Sequence, residues 1–137
     1  MKSLLICFYL LIFAGAAFGQ NAVDPKWVGV NSNDSADIYV DKTSLKRNGD
    51  IVTAWIKLVV RSANMSAKQL KEYNCKTTQA RRLAGTAYKG LNTDGPQTIL
   101  DQADWKYITR ETAEESVLEY VCKEAPKQGW LDKFLSK

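Results

Sequence analysis

The sequence predicts an α+β fold: a β-sheet followed by one C-terminal helix that a disulfide pins to it. Three observations lead there. Residues 51–61 alternate with period two, and Val52, Ala54, Ile56, Leu58 and Val60 make one wholly apolar face. Residues 112–125 change to a helical period, with Val117, Leu118, Val121, Cys122 and Ala125 at i, i+1, i+4, i+5 and i+8. Two of the three cysteines, Cys75 and Cys122, lie in these two kinds of segment, one in a strand-like run and one on the apolar stripe of the helix.

The chain begins with a segment that does not belong to the fold. Lys2 precedes an almost unbroken apolar run from Leu4 to Phe13, and small residues follow, with Ala17 and Gly19 at the −3 and −1 positions of a cleavage site before Gln20. This is the pattern of a secretory signal peptide over residues 1–19, and the run is too short to span a bilayer comfortably. An uncleaved membrane anchor is the alternative. Cys7 leaves with this segment, and no cysteine stands at the cleavage point for lipid attachment. The remaining pair, Cys75 and Cys122, enters an oxidising compartment and is expected to be bonded. The domain proper runs over residues 20–125, with a C-terminal amphipathic segment over 126–137.

The strands follow in order. Residues 26–30 and 37–40 read as the first two, around a polar turn at 31–35. Residues 41–47 read as a connection, and Asn48-Gly49 is a tight-turn signal before the long strand. Residues 62–67 read as a polar loop, 68–78 and 81–88 as two strands, and 90–97 as a loop rich in Gly, Asn, Asp and Pro. Segments 98–100 and 104–108 supply a final strand or two. Thr112 and Glu115 form a capping box, and Pro126 stops the helix. Glu115, Glu119 and Lys123 are placed on its solvent side, as is the pair Glu114-Glu115. In the tail, Trp130, Leu131, Phe134 and Leu135 repeat an amphipathic spacing among Lys127, Lys133 and Lys137. It reads either as a short helix docked on the body or as a basic tail meeting a membrane surface or a partner.

Composition removes several functions. The charges are 19 Lys+Arg against 15 Asp+Glu, a net of +4 without clustering, which is too weak for a nucleic-acid binder. There is no histidine, so Ser-His-Asp and Cys-His catalysis and His-ligated zinc are excluded. The acidic groups Glu114-Glu115 and Asp101 with Asp104 lack metal-loop spacing. No catalytic residue, metal or cofactor is expected.

The order of landmarks carries a resemblance. Tyr39-Val40-Asp41 with Ser44 follows an opening strand, and a long strand carries Trp55. Tyr73-Asn74-Cys75 comes next, then a strand. Trp105 precedes a polar turn, and a helix ends in Val121-Cys122. From about Trp27 to Cys122 this resembles the surface-adhesin protein E family of small exported bacterial proteins. The resemblance implies an antiparallel sheet of about six strands with one C-terminal helix tied to its face by a disulfide. It further implies binding rather than catalysis, a bacterial surface location, dimerisation, and host extracellular-matrix partners such as vitronectin and laminin. The chain departs from the family at two points. It has no lipid-attachment cysteine, and where the family has adjacent basic residues before the first cysteine it offers Arg61-Ser62, then Lys68 and Lys71. Without a lipid anchor, a periplasmic module for an envelope protein or a small ligand, or a released protein, stands beside the surface adhesin.

The residues expected to bind a protein partner are Trp55, Lys57 and Arg61, which share the mixed face of the long strand, with Lys68 and Lys71. Tryptophan and cations on an open sheet face make anchors for a protein partner. The blander alternative packs Trp55 under a loop and leaves the cations solvated. Arg81-Arg82 alternate to opposite faces, Trp27 and Trp105 read as core or edge packing, and Asp41 with Ser44 as a local turn. Asn33-Asp34-Ser35 and Asn64-Met65-Ser66 match the glycosylation pattern, coincidentally on a bacterial route.

Overall fold

The computed structural model describes residue 24 and residues 26–127. The export segment 1–19 and nearly all of the tail lie outside the described residues. Within them, eight strands form one sheet: β1 (Trp27–Ser32), β2 (Ala36–Asp41), β3 (Lys46–Asn48), β4 (Ile51–Val60), β5 (Met65–Asn74), β6 (Gln79–Lys89), β7 (Gln97–Leu100) and β8 (Lys106–Tyr107). One helix, α1 (Ala113–Glu124), follows. The strand order is β1-β2-β4-β5-β6-β7, with β3 beside β4 and β8 beside β6. Every pairing is antiparallel. The six-strand path, the helix and the cross-link agree with the expected architecture.

The long alternating segment sits centrally because its apolar face demands cover. Val52, Ala54 and Ile56 are buried with Ile38 and Val40 of β2 and Tyr73 and Ala80 of β5 and β6. Helix α1 closes this face with Val117, Leu118 and Val121, and Ala125 joins the same cluster. Each large apolar side chain buried here stabilises the fold by about 1.5–3 kcal/mol.

The helix ends as its sequence dictates. The Thr112 hydroxyl accepts from the Glu115 N–H at 3.4 Å, and the Glu115 carboxylate accepts from the Glu111 N–H at 2.7 Å. The reciprocal arm of the capping box thus lands one residue early. Pro126 forces Ala125 out of the helical region, to φ −59° and ψ 140°. Cys122 is bonded to Cys75 with a Cα–Cα distance of 5.8 Å. From the other side, the Arg47 guanidinium donates to the Cys122 carbonyl at 2.5 Å, a cation placed near the negative end of the helix. The helix is therefore held at its C-terminal turn by a covalent and a polar link.

Four local readings change. The loop expected over residues 62–67 is only a 3-10 turn at Arg61–Ala63 closed by left-handed Asn64 (φ 46°), and β5 already begins at Met65. Polar Ser66 looked like loop, yet it is fully buried, its hydroxyl donating to the Gly90 carbonyl at 2.8 Å and accepting from the Thr93 N–H at 3.1 Å. The connection over 41–47 contains a 3-10 turn at Lys42–Ser44 and the start of β3, whose turn at Asn48-Gly49 leads into β4 with Gly49 at φ +60°. Cys75 lies one residue beyond β5 rather than within it. Glu114 turns toward the sheet and pairs with Lys71 at 2.5 Å, so it does not join Glu119 on the solvent side.

Candidate functional site: the open face of the sheet

Antiparallel pairing puts partners on the same face, so the register maps the side opposite the helix. One row runs Gly29, Tyr39, Lys57, Lys68, Thr86 and Ile99 across β1, β2, β4, β5, β6 and β7. Two residues along, a second row holds Trp55, Leu70 and Ala84. The result is a square of four side chains: Lys57 beside Lys68, and Trp55 beside Leu70. Trp55 is 38% exposed although most of its strand is covered. Period two alone placed Trp55 and Lys57 together; only the β4–β5 register brings Lys68 and Leu70 to them.

Lys57 is held from above and beside. Its ammonium lies 5.0 Å from the Trp27 ring centre and 4.7 Å from that of Tyr39. The Lys26 ammonium lies 5.6 Å from the centre of the same Trp27 ring. Such cation–ring contacts fix a long side chain that would otherwise wander. Burial first, then repulsion from Lys68, hold the Lys57 ammonium below its ordinary range, against an upward pull from Asp24 that outweighs the further repulsion from Lys26. Neither Lys57 nor Lys68 has a carboxylate within ion-pairing distance among the described residues. The two lysines line a groove of about 860 Å³ together with Asp24, Asp37 and Asp94. Leu91 to Asp94, from the loop after β6, form one wall.

Arg61 lines the same groove as Lys57 and Lys68, with its guanidinium engaged within the protein, whereas Lys71 stands apart from the square. Arg61 follows β4 in the 3-10 turn and donates to the Asp37 carboxylate and to the Asn33 carbonyl. Its Nε reaches the Asp34 carbonyl at 3.4 Å. It ties the β1–β2 turn to the end of β4. Lys71 is on the helix side, paired with Glu114. Period two separates Lys68 from Lys71, a signal already present in the sequence. Trp27 and Tyr39, which the sequence reading assigned no binding role, flank Lys57; the strand order that brings β1 and β2 beside β4 could not be read from local pattern.

The other cations have local work. Arg81 bonds Glu72 at 2.5 Å and lies 4.7 Å from the Trp105 ring centre, while Arg82 bonds the Asp101 carbonyl at 2.8 Å. A second hollow of about 390 Å³ near the start of α1 includes Lys71, Arg82, Lys106 and Glu114 in its lining. Of these, Lys71, Arg82 and Glu114 are already engaged within the protein. Asn33, one of the glycosylation-pattern asparagines, accepts from the Ser35 and Ala36 amides at 2.8 and 2.9 Å and so serves its own turn. Among the described residues no group of three or more acidic, Cys or His side chains could hold a metal, and no helix is long and apolar enough to cross a membrane.

A sheet closed on one face by a cross-linked helix, with an exposed tryptophan beside two lysines free of ion pairs on the other, defines a small disulfide-clamped α+β domain. The surface-adhesin protein E profile matches residues 27–123, the sheet and almost the whole helix. The chain belongs to that family, which is one of surface adhesins and not of enzymes. Crystal form II of Haemophilus influenzae protein E superposes with a TM-score of 0.60 at 16% identity, covering 77% of this chain and 93% of that one. Protein E from non-typeable Haemophilus influenzae gives a TM-score of 0.54 at 14% identity, covering 85% and 92%. The likeness to these structures shows a common fold. No curated protein matches the chain in sequence.

Proposed function

We propose that this protein is an exported module that binds a protein partner through the open sheet face, with Trp55 as its apolar anchor and Lys57 and Lys68 as its charged ones. The observation that carries the reading is Trp55 itself. It is 38% exposed on a central strand, with Leu70 opposite it on β5. Large aromatic side chains left partly in water next to fixed cations are favoured as binding hot spots. Membership in a family of surface adhesins makes host matrix proteins the first partner class to test, with envelope proteins as the alternative.

The test captures partners with the exported protein from vitronectin, laminin and a detergent extract of the producer's own envelope. Protease treatment of intact cells runs in parallel. Capture of a matrix protein, with the protein cleaved on intact cells, is the expected result. Trp55→Ser should weaken capture by roughly thirtyfold, the effect of losing a central hot-spot residue. Undiminished capture by a folded Trp55→Ser variant would remove the open face as the binding site. Protection from protease together with capture from the envelope extract alone would replace the adhesin by a periplasmic module.

A further inference from the structure

The square on the open face has a feature that protein binding in general does not require. Lys57 and Lys68 are directly opposed across β4 and β5, where like charges destabilise the sheet. Two rings on the side of β4 away from Lys68, those of Trp27 and Tyr39, hold the Lys57 ammonium at 5.0 and 4.7 Å from their centres. No carboxylate of the described fold forms an ion pair with either ammonium, and the pull of Asp24 on Lys57 offsets only part of the repulsion. The two ammoniums are thus left open to an anion from outside the chain.

The surroundings define what kind of anion. Asp24, Asp37 and Asp94 line the same groove. A long polyanion crossing the sheet would pass these carboxylates, whereas one compact negative group seated at the centre would not. Trp55 and Leu70 lie two residues along their strands from the lysines, about 7 Å away by strand geometry. That is also the spacing of side chains i and i+2 in an extended peptide. We propose that the open face recognises an extended segment of a partner protein in which one Asp or Glu seats between Lys57 and Lys68 and an apolar residue two positions away rests on Trp55 and Leu70. This deepens the open-face reading and rests on it. It identifies the ligand chemistry as a single carboxylate with an adjacent hydrophobe rather than a polyanionic chain.

The probe is the blocked pentapeptide Gly-Glu-Gly-Phe-Gly, compared with its Glu→Gln and Phe→Gly forms. Binding is followed by NMR on the side-chain signals of Lys57 and Lys68 and on the indole N–H of Trp55 in the exported protein. The parent peptide should shift all three sets saturably, with an affinity on the order of millimolar for so few contacts. The Gln form should bind roughly tenfold more weakly, since a charge-assisted contact is lost. The Phe→Gly form should lose the Trp55 shift first. Lys57→Gln with Lys68→Gln should erase the difference between the Glu and Gln peptides.

Equal binding of the Glu and Gln forms to the unaltered protein would overturn the proposal without any variant having to fold. Tighter binding of poly-glutamate per carboxylate than of the pentapeptide would overturn it too. These outcomes are separable from failure of the open-face reading. If Trp55→Ser abolishes partner capture while the two peptides bind equally, only the acidic anchor falls. If Trp55→Ser leaves capture intact, the face itself is wrong.

Discussion

The hydroxyl of Ser44 accepts a hydrogen bond from the backbone N–H of Trp55 at 2.9 Å. Its place in the sheet explains why. On that side β4 is paired with β3 over Ile51 to Thr53 and with β2 over Ile56 to Val60, so the Trp55 amide falls in the gap between two partners. Ser44 fills it while donating to the Asp41 carbonyl at 2.7 Å, and Asp41 in turn caps the Thr43 amide at 2.9 Å. A three-residue turn thereby completes the ladder where the candidate anchor emerges.

Ser44→Ala removes that acceptor. The expected loss is about 1 kcal/mol of stability, the net value of one such hydrogen bond. Amide exchange at Trp55 should quicken while that at Val52 and Ile56 stays slow. Ser44→Thr keeps the hydroxyl and should restore both, which denaturant titration and hydrogen exchange can follow.

The Cys75–Cys122 link closes a loop across a sequence separation of 47. In the chain-entropy view, losing it should cost roughly 4 kcal/mol, because the unfolded chain regains that freedom. Cys75→Ser with Cys122→Ser should show this as a lower denaturation midpoint. The exported protein should carry no alkylatable thiol before reduction, and two after it, by mass spectrometry.

Asp37 links charge to the β1–β2 turn. The Ser32 hydroxyl, aided by the Arg61 guanidinium, holds its carboxyl below the ordinary value of 3.8, against the opposing effect of burial. A lowered folded value means the unfolded chain binds the proton first. The stabilisation is therefore complete above pH about 4 and drains away as pH falls through the lower folded value. Asp37→Asn should flatten the acid limb of the stability profile, so that the two proteins converge at the acid end and differ most near neutrality. Thermal melts from pH 7 to pH 2 at low salt read this directly.

Gly95 sits where no side chain fits, since an added Cβ would overlap the Lys89 carbonyl. Gly95→Ala must displace the loop that bonds Ser66 through Gly90 and Thr93. A loss of about 1–3 kcal/mol is expected. Because Leu91 to Asp94 wall the groove, ligand binding there should weaken along with stability. Equilibrium unfolding and the pentapeptide titration measure the two effects on one sample.

Much of the fold was legible because local pattern and burial agreed. Val52, Ala54 and Ile56 alternate in sequence and are buried together, and Val117, Leu118 and Val121 keep helical spacing and are buried opposite them. Ser66 shows where local reading stops. A serine between Met65 and Ala67 carries no strand signal, and its hydroxyl finds partners only because a loop more than twenty residues later folds over it. The site was legible by halves. Trp55 and Lys57 share a face by alternation, but Arg61 is drawn away by Asp37 and Lys71 by Glu114, which no spacing in the chain announces.

By itself the sequence determined the central alternating strand and most of its neighbours, where the helix starts and stops, and which two cysteines could meet. These depend on neighbours along the chain, where periodicity, capping and turn chemistry act. Only the tertiary structure decided that Trp27 and Tyr39 flank Lys57, that Lys68 and Leu70 complete the square, and that Glu114 faces inward. Those facts depend on strand order and register, which are set by the burial of a whole face at once and not by any local stretch of residues.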